Sequence, residues 1–132
     1  MLFRSGLNEK ESIEVGKNLG LNTSDHSPEG LTKLCQAIHQ RVPVETLIVH
    51  PTAYALASGP DGTALVQGPF TPKPKITTGA GDHFNSGFCL GKLLGLDNEM
   101  SLLAGVATSG FYVRTAQSPA IAPLADFLNR GW

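Results

Sequence analysis

The run Thr46-Leu47-Ile48-Val49 limits the fold more than any other stretch of the chain. Four consecutive apolar or β-branched residues without polar alternation describe a short strand covered on both faces, and such a strand needs helices to cover it. The flanking sequence supplies them. Asn8 stands where a helix N-cap would stand, Glu11 follows three residues later as in a capping box, and helical spacing continues through Ile13, Val15 and Leu19 to Gly20. Residues 22–29, rich in Ser, Thr, Asp and Pro, read as a loop. A second helix is predicted from Pro28 to Gln40, with Leu31, Leu34, Cys35, Ile38 and Val42 at i, i+3, i+4, i+7 spacing. Leu2 and Phe3 read as the tail of a further strand that breaks at Gly6.

Past the apolar run the patterning changes. Tyr54 to Ser58 and Thr63 to Val66 flank Gly59-Pro60-Asp61-Gly62, strong turn chemistry, and predict a hairpin or meander. Residues 68–75 carry Pro69, Pro72 and Pro74 and must form an extended connection. Helical patterns then follow one another: from Gly81 to about Leu94, from Asn98 to Arg114, and from Pro123 to Asn129. An α/β chain with a small antiparallel section and consecutive C-terminal helices is implied. The sequence supplies only about four strands, few for a sheet covered on both faces, which suggests a piece of a larger fold.

Composition narrows the class. The 132 residues suffice for a single small domain spanning 1–132, and 41% hydrophobic with 16% charged residues excludes a disordered or fibrous chain. With a net charge of −1 and ten scattered Lys and Arg, nucleic acid is not an expected partner. No run approaches the roughly 20 apolar residues of a membrane span, and MLFRSGLNEKE does not resemble a signal peptide. A cytoplasmic, globular protein is expected. Cys35 and Cys89, far apart within helical patterns, read as buried small hydrophobes rather than a disulfide or metal pair.

Chemistry concentrates in Thr77-Thr78-Gly79-Ala80-Gly81-Asp82. Gly79 and Gly81 let the backbone approach a bulky anion, and the following helix points unpaired N–H groups and its positive dipole end at that loop. An Asp at the rim repels the same anion, so a general base toward a hydroxyl nucleophile is one reason for its presence. A Gly-rich turn with Asp as a helix cap is the alternative that these residues alone leave open.

The longer run Thr77 to Phe88, TTGAGDHFNSGF, resembles the second signature of the ribokinase-like (pfkB) carbohydrate kinases. Asn8-Glu9-Lys10-Glu11 resembles the N-x-x-E motif of that family, and Val113 to Pro119 resembles the loop that follows its long helix and closes over adenine. The resemblance implies the carboxy-terminal part of a ribokinase-like three-layer α/β/α sandwich, and an ATP-dependent kinase acting on a sugar hydroxyl. It implies Asp82 as general base, and Thr78 with the amides of Gly79, Ala80 and Gly81 around the transferred phosphoryl group. It further implies Asn8 and Glu11 acting on Mg²⁺ through water, and His50, Thr52, Ala116 and Gln117 on the nucleotide side. For Asn8 and Glu11 a plain helix cap is compatible with that role.

The pattern departs from the family in three places. Ile76 stands where many members carry an Asp beside a monovalent-cation site, so potassium activation is expected to be absent or rebuilt. The segment usually written V-T-x-G-x-x-G is Val49-His50-Pro51-Thr52-Ala53-Tyr54-Ala55, without either glycine, which leaves the base preference open and His50 readable as a plain loop histidine. His83 reads as a solvated or packing residue, and His26 and His39 carry no signal. Family members are more than twice this length; the half that supplies the sugar-binding side and lid is expected to lie outside the chain. A chain cut in that way would self-associate and be inactive alone. A non-catalytic member used for binding or assembly, or a nucleoside or vitamin-precursor kinase of the same superfamily, are the alternatives.

Overall fold

The computed structural model describes residues 4–132, so the strand tail expected at Leu2 and Phe3 lies outside it. Strand β1 spans Arg4–Leu7, and Gly6, expected to end a strand, sits inside it, in register with Ile48 of β2 (Thr46–Val49). A glycine weakens an isolated strand, but pairing with a buried neighbour overrides that preference. The parallel register runs from Arg4 opposite Thr46 to Leu7 opposite Val49, and the His50 amide continues it by donating to the Leu7 carbonyl at 2.9 Å. All four residues of β2 are buried, as its unbroken apolar character requires.

Helix α1 (Glu9–Asn18) starts on a complete capping box. The Glu11 amide donates to Asn8 Oδ1 and the Asn8 amide donates to Glu11 Oε2, both at 2.8 Å. Helix α2 (Pro28–His39) has Pro at its first position and Ser27 as N-cap, its hydroxyl accepting from the Gly30 amide at 3.1 Å. Strands β3 (Tyr54–Gly59) and β4 (Gly62–Gln67) form the predicted hairpin, turned by Gly62 at φ +104°. Among the described residues the sheet has four strands in the order β1-β2-β3-β4, parallel at β1/β2 and antiparallel at β2/β3. Three further helices follow: α3 (Ala80–Leu93), α4 (Asn98–Thr115) and α5 (Ile121–Arg130). The last begins two residues before Pro123, which the first turn accommodates because amides there have no helical partner.

The chain forms two compact units. The first holds the residues up to Pro51 together with Ala55–Leu65. Its core joins Leu31, Leu34, Cys35 and Ile38 of α2 to Leu47, Ile48 and Val49 of β2 and to Ala55, Leu56 and Ala57 of β3. Each such Leu, Ile or Val contributes about 1.5–3 kcal/mol by leaving water. Burial also pushes the Cys35 thiol up to about 12, so it behaves as a small hydrophobe. His39, silent in the sequence, fastens α2 inside this unit through Nε2 to the Val44 carbonyl and Nδ1 to Ser58 Oγ, each at 2.9 Å.

The second unit holds Thr52–Tyr54 together with Val66–Trp132. It is built on the close approach of α3 and α4. A Cβ on Gly87 would lie 2.4 Å from Thr108 Oγ1 and 2.5 Å from the Ala104 carbonyl oxygen; one on Gly105 would lie 2.8 Å from the Phe84 ring. Phe84, Gly87, Phe88 and Gly91 form the buried stripe of α3, at i, i+3, i+4, i+7. Cys89 falls one step past that stripe and is exposed, contrary to the expectation that both cysteines are buried. The proline-rich connection has no regular structure and is held instead by α4. Arg114 Nη1 donates to the Pro69 carbonyl at 2.7 Å, Nη2 to that of Phe70 at 3.1 Å, and the Lys75 amide to the Val113 carbonyl at 2.7 Å. Among the described residues no helix is long and apolar enough to cross a membrane.

Candidate active site

The loop Thr77–Gly79 enters α3 through Gly79, which is left-handed at φ +87° and faces the Tyr112 hydroxyl, 3.3 Å from where a Cβ would sit. Any side chain there meets both backbone strain and the tyrosine. The Ala80 amide, expected to face the anion, instead turns back onto the Thr77 carbonyl at 3.1 Å. A tight turn before the helix requires that bond. Among the described residues the amides of Gly79, Gly81 and Asp82 have no acceptor, so two of the three expected donors are open and the Asp82 amide joins them. Such open amides at a helix N-terminus are suited to an anion.

Asp82 lies in the first turn of α3 and is exposed. The N-cap of α3 is Gly79, three residues before Asp82, whereas Asn8, Ser27 and Asp97 are themselves N-caps that each accept a backbone amide. The cap alternative therefore does not describe Asp82. A carboxylate held beside open amides without a partner of its own can accept a proton from a hydroxyl brought to the same rim.

Ala116 and Gln117, expected on the nucleotide side, lie just past the end of α4. Ala116 is left-handed at φ 59°, the only non-glycine with positive φ among the described residues, and its amide donates to the Tyr112 carbonyl at 2.7 Å. The Gln117 amide donates to Thr115 Oγ1 at 3.1 Å. A non-glycine residue in this conformation costs of the order of 1 kcal/mol or more, and such strain gathers at functional loops. Thr52 is exposed ahead of β3. Thr78, Gly79, Ala80, Gly81, Asp82, Thr52, Ala116 and Gln117 all belong to the second unit; Asn8, Glu11 and His50 belong to the first.

In the first unit, Glu11 uses Oε2 in the capping box and is otherwise exposed. Its Oε1 has no partner among the described residues. This fits a carboxylate that reaches a hydrated Mg²⁺ through water, and the described residues contain no group of three or more His, Cys, Asp or Glu able to hold a bare metal ion. His50 is half-buried at the end of β2, where loss of hydration holds its pKa below the usual range while the nearby Glu11 carboxylate partly offsets that shift.

Two residues of the loop's surroundings were given no role at the site by the sequence. Tyr112 donates its hydroxyl to the Thr78 carbonyl at 2.8 Å. His83, expected to be a solvated or packing residue, stacks on Tyr112 with ring centroids 3.6 Å apart and planes at 10°. It bonds the Gly79 carbonyl through Nδ1 at 2.8 Å and Ser118 Oγ through Nε2 at 2.7 Å.

A four-stranded mixed sheet accompanied by five helices among the described residues is shared with ribokinase-like kinases. Ribokinase from Thermotoga maritima superposes with a TM-score of 0.77 at 23% identity, over 96% of this chain and 42% of that one. Phosphofructokinase-2 from Escherichia coli, in complex with substrates and products, gives 0.78 at 18% identity, over 97% of this chain and 40% of that one. These likenesses establish the fold. The chain belongs to the prokaryotic ketohexokinase family, whose model matches residues 8–131. A ketohexokinase from Haloferax volcanii is 32% identical over 122 residues, 92% of this chain. The chain spans 31% of the length of that relative.

Proposed function

We propose that the protein transfers the γ-phosphoryl group of ATP to a hydroxyl of a sugar, and that the sugar is a ketohexose. The observation that carries this is the pairing of an unengaged Asp82 carboxylate with the open amides of Gly79, Gly81 and Asp82. The Haloferax volcanii relative is named for ketohexose phosphorylation, which supports the choice of sugar. The amides and the dipole of α3 stabilise charge that grows on the phosphoryl oxygens, while Asp82 takes the proton from the attacking hydroxyl. Mg²⁺, when bound, would neutralise charge on ATP, and within the first unit Glu11 and Asn8 are the residues that would orient its water shell. Within the second unit, Thr52, Ala116 and Gln117 would contact the nucleotide.

The test is a coupled assay of ADP release by the full-length protein with a panel of ketohexoses, aldohexoses and nucleosides, repeated with Asp82→Ala. Loss of a general base lowers kcat about 10²- to 10⁴-fold and leaves MgATP affinity nearly unchanged. A variant with near-normal kcat would refute the role of Asp82. The 132-residue chain alone, 31% of the length of the Haloferax volcanii relative, is expected to show no turnover in the same assay, since positioning of the hydroxyl would rest on residues outside it.

A further inference from the structure

The peptide unit is planar and trans, so fixing a carbonyl fixes the N–H on its far side in the opposite direction. Tyr112 grips the Thr78 carbonyl at 2.8 Å and thereby aims the Gly79 amide away from itself, toward the open rim of the loop. The next carbonyl, Gly79, is gripped twice, by the His83 amide at 3.1 Å and by His83 Nδ1 at 2.8 Å. A carbonyl only accepts, so Nδ1 carries the proton, and in the neutral ring Nε2 accepts from the Ser118 hydroxyl at 2.7 Å. The stacked rings of His83 and Tyr112 hold these contacts as one body. One histidine therefore ties the phosphate loop to the loop 116–119, across 35 residues of sequence.

We propose that His83 is a positioning residue with two separable duties. Tyr112 aims the open Gly79 amide, and His83, through Nδ1 on the Gly79 carbonyl, fixes the Gly79–Ala80 peptide whose amide closes the turn onto Thr77; together they hold the phosphate loop in the shape that stabilises phosphoryl transfer. Through Nε2 and Ser118, His83 fixes the loop that contacts the nucleotide base. What loop 116–119 contacts rests on the proposed kinase activity; the clasp itself rests on the distances above.

The two duties come apart by substitution. Asn at 83 keeps a donor where Nδ1 stands and loses reach to Ser118, whereas Ala loses both bonds. A hydrogen bond contributes about 0.5–1.5 kcal/mol, a factor of about 2 to 12. In the full-length protein, His83→Ala is expected to lower kcat and raise the KM for MgATP, each by about 5- to 10-fold, with the sugar KM unchanged. Ser118→Ala and His83→Asn are each expected to raise the KM for MgATP about 3-fold while keeping kcat near wild type, and Tyr112→Phe to lower kcat alone. Circular dichroism checks that the variants fold; Ser118 is exposed, so Ser118→Ala tests the clasp even where His83→Ala fails to fold. A His83→Asn variant no better in kcat than His83→Ala, or a Ser118→Ala variant with unchanged KM for MgATP, overturns the proposal. Should the wild-type protein phosphorylate nothing, the kinase activity is refuted on its own, and calorimetric titration with MgADP decides the clasp. Weaker MgADP binding by Ser118→Ala and His83→Asn than by wild type supports it, and equal or undetectable binding in all three overturns it.

Discussion

Gly87→Ala adds one methyl group at the point where α3 and α4 come closest. In an exposed helix position this change would stabilise by about 1 kcal/mol, since Ala is the better helix former. Here the new Cβ would lie 2.4 Å from Thr108 Oγ1, 2.5 Å from the Ala104 carbonyl oxygen and 2.8 Å from Thr108 Cβ. Those atoms cannot yield separately, because Thr108 Oγ1 donates to the Ala104 carbonyl at 2.7 Å and both are anchored in α4. Relief requires the helices to part by several tenths of an ångström, loosening Phe84, Phe88 and Leu102, all 3% exposed or less. Overpacking of this kind costs about 1–3 kcal/mol and the backbone oxygen places it near the upper end. After subtracting the gain in propensity, a net loss of about 2 kcal/mol remains. Urea unfolding followed by circular dichroism should show it, with a fall in melting temperature of roughly 5 to 10 °C. Asn85→Ala, on the exposed face of the same helix, is the control and should stabilise slightly. Gly87→Ala/Thr108→Ala should recover part of the loss, the Ala104 oxygen remaining in place. A Gly87→Ala protein as stable as wild type would refute the claim that close backbone approach sets the α3–α4 packing.

Two further outcomes follow from other positions. Potassium should not stimulate the proposed kinase activity, since Ile76 offers no side-chain oxygen; rates in sodium, potassium and a bulky organic cation should agree, and a severalfold potassium preference would contradict this. His50 has its pKa lowered by burial, so the unfolded chain binds the proton more readily, and its neutral form stabilises the fold above about pH 6.5. That contribution is lost as pH falls below this value toward the folded-state pKa, and the stability of wild type should therefore decline more steeply between pH 7 and 5 than that of His50→Asn; parallel curves would refute it.

Local chemistry made much of this structure legible. The Asn8–Glu11 capping box, Ser27 with Pro28, and the Gly59–Gly62 turn are short-range devices whose partners lie within three or four residues. The buried run of β2 was equally plain, because a strand covered on both faces has no polar alternation to show. Gly6 misled, since its place in a strand is decided by β2 some 40 residues away. At the candidate site, the sequence pointed to the loop before α3 but not to which of its amides stay open. The turn formed by Ala80 onto Thr77 is a matter of backbone geometry that any small residue permits. His83 and Tyr112 were invisible for a different reason: their partners are Ser118 and Thr78, 35 and 34 residues distant, and no spacing rule spans such gaps.

The way α4 grips the segment before α3 also bears on the order in which the chain can be made. Pro69 and Phe70 are held by Arg114, Lys75 by Val113, and Thr78 by Tyr112, so each anchor is translated well after the segment it holds. On the ribosome, the loop before α3 has its glycines early but lacks its grips until the last turn of α4 has left the exit tunnel. Closing a loop of 34 to 45 residues is slow compared with forming a helix, and it cannot begin before both ends exist. The loop Thr77–Gly79 is thus completed late, once the helices around it are in place.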